Sequence, residues 1–403
     1  MRIRMNDNKL MANLANFLIL LPILWIFTGL FHFDNGDKIL VILTLISALA
    51  SAIKYNKAII IDNLKSRYIW IMYGLLLISV MADALHLYNP INLRAIAIIC
   101  VLLTFFPYQL VTRKTLILAI FLGCINSLFF VCKFTYLTPV ARYYWPINAI
   151  PFATYICFIA AITFVLLLTS RTIKEKTILV LTLAISIISI ALTETRGALV
   201  ALLPTLLAIY FYFSHQRKTL KRNIIISIFI VGLTSVALYP IVKERIIQTH
   251  QEITQIDDGN TDTSIGLRLN FWKAGVHLIE KSPFIGYGEN YFSQLDLLAK
   301  EKVIIPAAAS YKPPHFHNQF IDITVKCGLI GLTTLLFIVL VPIKLINNKS
   351  SNDALITYSL ISILILSGLT DVPFFHKQIF IIFFISIGIL IGKDRCNKIK
   401  KGL

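Results

Sequence analysis

Long apolar runs separated by short connections constrain this chain more than any other feature. They lie near residues 11–31, 39–53, 68–85, 95–108, 115–134, 149–170, 177–193, 197–213, 223–242, 319–343, 353–370 and 377–392. In hydrocarbon every backbone N–H and C=O must be satisfied within the chain, so such runs cross as helices. A crossing takes about 20 apolar residues, and the pattern predicts about 12 spans. The runs at 39–53 and 95–108 are short and are expected to borrow flanking residues. Only 14% of residues are charged and 57% are hydrophobic, against about 25% charged in soluble domains. The expected fold is therefore an all-α polytopic membrane protein of about 12 transmembrane helices with one large, mainly helical loop on the outer side. Residues 1–242 carry the earlier spans, 243–318 form the loop, and 319–403 hold the last spans and a cytoplasmic tail.

A net charge of +18 raises the question of nucleic acid, but the distribution of the charge excludes that reading. Basic residues cluster on alternate connections, as at Lys54, Lys57, Lys65 and Arg67, at Arg217, Lys218, Lys221 and Arg222, and in the tail at Lys393, Arg395, Lys398, Lys400 and Lys401. The intervening short connections hold single cations such as Lys38, Arg94, Arg142, Arg196 and Lys377. This is the positive-inside pattern, and it places both termini in the cytoplasm. The first apolar run follows a basic start but has no small-residue cleavage pattern, so it reads as a retained span. The six cysteines show no paired spacing, and neither a disulfide framework nor a thiolate metal site is indicated.

The polar segment 243–318 ends in Pro313-Pro314-His315-Phe316-His317-Asn318, where the next apolar run begins. Its acidic and basic residues nearly balance, so bulk charge does not define a partner. After the turn-rich stretch 257–263, Ser264 offers an N-cap to a helix that places Leu267, Phe271, Ala274 and Leu278 on one face. A glycine-rich turn, Ser282 to Gly288, follows, and then a second helix to about Lys302. Two histidines at such a boundary can be a proton-transfer station, a metal site or an ordinary loop. At i, i+2 they share a face only in an extended segment, and no carboxylate or third histidine sits at a zinc-motif spacing.

Three further features carry alternatives. Arg142 stands among aromatics in 135–148, which reads as an interfacial aromatic belt or as a platform for sugar or lipid phosphate. Glu194-Thr195-Arg196 is a hairpin-length connection between two apolar runs; its charges either neutralise each other or leave a guanidinium, suited to phosphate oxygens, facing a cavity. Lys133 is the main candidate for a charge buried within a span.

Thr195-Arg196-Gly197, then Ser264-x-x-x-Arg268, then Ser282-Pro283 with Gly286-x-Gly288, then His317-Asn318 followed by Gly328-x-x-Gly331, together resemble the O-antigen ligase and polymerase superfamily. The resemblance covers most of the chain and is sharpest from about residue 190 to 335. It implies a GT-C-type membrane glycosyltransferase of the bacterial inner membrane with a periplasmic active site, which makes the large outer loop a periplasmic loop. An undecaprenyl-diphosphate-linked glycan would be the donor and the lipid A core oligosaccharide the acceptor. Carried over residue by residue, His317 matches the essential histidine, while Arg196 and Arg268 match the arginines expected to hold the donor diphosphate. Asp371 resembles an acidic position at the outer end of the penultimate span. His315 has no clear counterpart and is kept, with Arg142, as a candidate substrate contact.

The chemistry stands beside the resemblance. A sugar diphosphate carries its own good leaving group, and the attacking sugar hydroxyl must lose a proton, for which histidine has suitable basicity. Two arginines would stabilise charge on the departing diphosphate, so no metal or other cofactor is expected. Two other readings stay open. An O-antigen polymerase would use the same donor class with a second lipid-linked glycan as acceptor. A glycolipid flippase or secondary transporter would place ionisable groups near the midplane in paired broken helices.

Overall fold

A computed structural model describes residues 2–216, 243 and 246–400. The span expected at 223–242 lies outside these residues. Among the described residues the ordered elements are all helical, and eight helices are long and apolar enough to cross a membrane. The chain is a membrane protein that divides into two compact units, one of residues 1–189, 340–361 and 376–403, the other of residues 190–339 and 362–375.

The first unit is built from α1 (Arg2–Thr28), α2 (Gly36–Asn63), α3 (Arg67–Ala84), α4 (Leu93–Phe105), α5 (Arg113–Cys132), α6 (Ala149–Leu168), most of α7 (Ile173–Leu192) and α15 (Lys377–Lys400). α6 is apolar all round and buried along most of its length, as expected of a helix surrounded by other helices. The run expected at 39–53 extends through the 28 residues of α2, whereas α4 is only 13 residues long. Ion pairs mark both ends of the unit. Asp37, at the start of α2, lies 2.9 Å from Arg94 and 2.9 Å from Lys377. Asp62, at the end of α2, meets Arg395 at 2.9 Å. Since Lys377 opens α15 and Arg395 nears its close, α2 and α15 run parallel. Lys133 is exposed, at the start of a π-turn beyond α5, with its ammonium over the Phe134 ring. The apolar helix carries on through this turn to Leu137, so Lys133 lies near the end of a span, but its side chain is not packed inside the protein and the expectation of a buried charge is corrected.

The second unit holds α8 (Arg196–Gln216), a helix at 246–257 (α9), α10 (Ser264–Lys281), α11 (Tyr291–Lys300), α12 (Pro306–Tyr311), most of α13 (Gln319–Leu345) and the end of α14 (Asn352–Gly368). The expected apolar face of α10 is present: Phe271, Ala274 and Leu278 are buried with Tyr291, Leu295 and Leu298 of α11 and with Phe316, and Leu267 packs against this core. The N-cap is Thr263 rather than Ser264, because the Thr263 hydroxyl accepts the Gly266 N–H at 3.0 Å.

The turn after α10 is joined to α13 by an exchange of hydrogen bonds. Gly328 interrupts α13 with φ 65° and ψ −168°, which parts the Leu329 N–H from the Val325 carbonyl it would otherwise meet. The Leu329 N–H instead reaches Pro283 O, and Val325 O accepts the Tyr287 N–H, both at 2.8 Å. A Cβ on Gly328 would stand 2.0 Å from Phe284 O, and one on Gly286 would stand 2.6 Å from Val325 O. The glycines and the proline of the motif thus form a seam between the turn and the span. Gly328→Ala should lower stability by more than about 2 kcal/mol, since the left-handed backbone alone costs a side-chain-bearing residue about 1–2 kcal/mol. Gly74→Ala, where a Cβ meets nothing within 4 Å, should leave stability unchanged or raised. Thermal unfolding of both variants in detergent checks this, and equal midpoints would refute it.

Candidate active site

The histidine loop is fixed from beneath by a pair of charges buried in α13. Asp322 and Lys326, one helical turn apart, are 2.9 Å from each other and almost wholly inaccessible. Asp322 also accepts the Phe316 N–H at 3.1 Å, and Lys326 donates to Pro314 O at 2.9 Å. The lysine ammonium lies over the Tyr291 ring, and the Tyr291 hydroxyl donates to Pro313 O at 2.8 Å. Phe316 is fully buried in the core formed by α10 to α12. With the middle residue of His315-Phe316-His317 anchored there, both imidazoles emerge on the other side.

They converge because His317 adopts φ 50°, a conformation rare for a residue with a side chain. The two rings stand edge to face with centroids 4.4 Å apart, and His315 Nδ1 accepts the His317 N–H at 3.3 Å. The His317 ring stacks on Phe271 of α10, and the Trp272 indole N–H donates to His317 O at 3.4 Å. His317 Nδ1 points toward the Asp371 carboxylate at 3.7 Å. That is beyond a hydrogen bond but within strong electrostatic reach.

Asn318 explains why asparagine follows the histidine. Its side-chain oxygen caps α13 by accepting the Phe320 and Ile321 N–H groups, and its amide donates to Leu369 O at 3.2 Å. Gln319 accepts the Phe374 N–H at 2.9 Å. The turn bearing Asp371 is thereby tied to the start of α13 on both sides.

Arg196 and Arg268 belong to two elements that pack near this centre, α8 and α10. Gly197, at the start of α8, packs so closely on Thr370 that a Cβ would stand 2.6 Å from its hydroxyl. Arg196 therefore lies one residue from a contact with the neighbour of Asp371. Arg268 lies one helical turn before Phe271 and Trp272, the two α10 residues that touch His317. Glu252 of α9 links the two arms, with one carboxylate oxygen 3.1 Å from the Arg196 guanidinium and the other accepting the Ile265 N–H in the first turn of α10 at 2.9 Å. His317, His315, Asp371, Arg196 and Arg268 thus fall in one unit. Arg142 belongs to the other unit, in the turn Arg142–Tyr144, and its role rests on sequence alone.

His315, His317 and Asp371 offer ligand atoms within 4.8 Å of one another, a set that can take a metal ion. Spacing alone does not reveal it, because the left-handed backbone at His317 brings the rings together and the carboxylate comes from the turn after α14. Among the described residues this is the one such cluster.

Residues 181–336 match the O-antigen ligase family. The chain is also similar to the O-antigen ligase of Escherichia coli (strain K12), 26% identical over 212 residues that cover 52% of this chain and 49% of the relative. It is similar as well to an uncharacterized protein of Haemophilus influenzae, 26% identical over 164 residues, 40% of each chain. The matches span about half the length of these relatives or less. The family match takes in Arg196, Glu252, Arg268 and His317, together with both halves of the glycine seam, and ends before Asp371.

Sequence reasoning passed over Glu252, Asp322, Lys326 and Trp272, and it gave Phe271 only a place on the apolar face of α10. Two charges four residues apart inside an apolar run are a legible signal for a buried pair. Glu252 gives no such signal, since its partners are distant in sequence. Lys326→Met, which leaves the Asp322 carboxylate buried without its partner, should destabilise the protein by about 3–5 kcal/mol, and replacing both residues should recover most of that. Unfolding midpoints of the single and double variants would show it, and a single variant as stable as the wild type would refute it.

Proposed function

We propose that this protein is a membrane glycosyltransferase that moves a glycan from an undecaprenyl-diphosphate carrier onto the lipid A core oligosaccharide at the periplasmic face of the inner membrane. The observation that carries the reading is the placement of His317 beside Asp371, in the unit that also holds Arg196 on α8 and Arg268 on α10. In this mechanism His317 takes the proton of the acceptor hydroxyl as that oxygen attacks the anomeric carbon. The bond to the diphosphate breaks on the opposite face, so the configuration inverts and no covalent intermediate forms. A positioned base of this kind contributes about 10²–10⁴-fold.

Asp371, facing His317 Nδ1 at 3.7 Å, holds the proton on that nitrogen, leaves Nε2 as the base, and stabilises the imidazolium once the proton has moved. Arg196 and Arg268 grip the diphosphate and neutralise the charge that gathers on it, a role suited to planar guanidinium donors. Glu252 sits on Arg196 where a phosphate oxygen would bind, and the incoming donor displaces it. His315 orients the loop through its acceptance of the His317 N–H. With two fixed cations for the leaving group, the reaction proceeds without a metal ion; transfer that stopped in chelator and returned with a divalent cation would overturn this part.

The test is complementation of a ligase-deficient strain that supplies lipid-linked O-antigen. The wild-type chain should restore the lipopolysaccharide ladder. His317→Ala should lose about 10²–10⁴ in transfer rate at normal membrane expression, and Arg196→Lys and Arg268→Lys should both fail, because lysine lacks the planar fork. His315→Ala should retain part of the activity. A wild-type chain that leaves the core bare would refute ligation and favour polymerisation or transport.

A further inference from the structure

Two adjoining depressions run along the flank of α10. The first, about 690 Å³, is lined by Thr261, Leu269, Asn270 and three lysines, Lys273, Lys300 and Lys302. The second, about 480 Å³, includes Trp272, His277 and Glu280, and it shares Lys273 and Val303 with the first. Together they form one groove. Its shape is built in: buried Asn270 donates to Thr261 Oγ1 and Gly266 O and accepts the Ile305 N–H, so one side chain ties the linker, α10 and the strap before α12. The chain turns at Lys302 with φ 58°, and Ile304 is buried behind it.

The charge of this groove departs from that of the segment around it. Acidic and basic residues nearly balance over 243–317, yet the groove gathers three exposed lysines and a single carboxylate, that of Glu280. None of the three lysines is ion-paired among the described residues, whereas nearby Lys281 is matched by Glu301 at 3.7 Å. Apolar and aromatic side chains between the cations, Leu269, Val276 and Trp272, suit the C–H faces of sugar rings. The combination fits a sugar chain bearing phosphate or carboxylate groups.

The groove also has a direction. Trp272, in its wall, donates its indole N–H to the carbonyl of His317. A chain laid along the lysines therefore ends one side chain from the proposed base, and the molecule that must bring a hydroxyl to that base is the acceptor. We propose that this groove is the acceptor subsite and that it selects an anionic oligosaccharide through Lys273, Lys300 and Lys302. The inference rests on the glycan-transfer reading above.

The experiment uses the full chain in nanodiscs and, as probes, deacylated lipid A core oligosaccharide with its phosphates and the same oligosaccharide dephosphorylated. Titration calorimetry should show the phosphorylated form binding about tenfold more tightly at low salt, the scale of several weak exposed pairs acting together. That preference should shrink with added salt, disappear in the triple Lys→Gln variant and persist in the triple Lys→Arg variant. In transfer assays the triple Lys→Gln change should raise the acceptor KM and leave the donor KM in place. Equal binding of the two probes by a wild-type chain that transfers glycan would overturn the groove assignment alone. A wild-type chain that binds the phosphorylated probe selectively through these lysines but transfers nothing would overturn the transfer reading, leaving an anionic-glycan site. A triple Lys→Arg variant that lost the preference would show that shape, not charge, is read.

Discussion

A carboxylate and an ammonium buried together in α13 underlie the whole site. Removing two charges from water is costly, and the pair is worth holding only if its remaining hydrogen-bonding capacity is used. Asp322 and Lys326 use theirs on the main chain of the histidine loop, at Phe316 N and Pro314 O. The left-handed backbone at His317, which costs of order 1–3 kcal/mol, is held by these bonds and by the buried Phe316 ring. Each partner therefore depends on the other: the loop satisfies the pair, and the pair keeps the loop in a conformation it would not otherwise adopt.

From that anchored loop the other candidate residues are reached through short-range contacts of small or capping side chains. Asn318 connects α13 to the turn that carries Asp371, and Gly197 lets α8 approach the same turn closely. Glu252 joins Arg196 to the first turn of α10. None of these residues needs chemistry of its own. They hold the start of α13, the turn that bears Asp371 and the first turns of α8 and α10 against one another.

Much of this was legible in the sequence for identifiable reasons. The helical period marked the face of α10 that carries Phe271, Ala274 and Leu278, because burial there is one-sided and repeats each turn. The motifs surrounding Arg196, Arg268 and His317 are local and so survive in a single chain. The contacts between them are not local. Nothing near Glu252 announces Arg196 or the start of α10, and the separation of His315 from His317 suggested divergent rings until the positive φ at His317 was known. Lys133 misled for a related reason: it lies in a π-turn near the end of its span, where the side chain faces outward and not into the protein. The cap of α10 was displaced by one residue, since Ser264 and Thr263 both carry a hydroxyl and only the geometry of the Gly266 N–H distinguishes them.

The exchange of hydrogen bonds at Gly328 has a mechanical meaning. A segment tethered to a membrane helix only through its chain ends could swing, and its height above the bilayer would vary. Here one rung of the α13 ladder is replaced by two rungs shared with the turn after α10, so lifting the turn away would leave a donor and an acceptor of the span itself without partners. α10 and α13 are therefore coupled, and a tilt of the span would carry along the turn after α10, and with it the α10 residues that pack against His317.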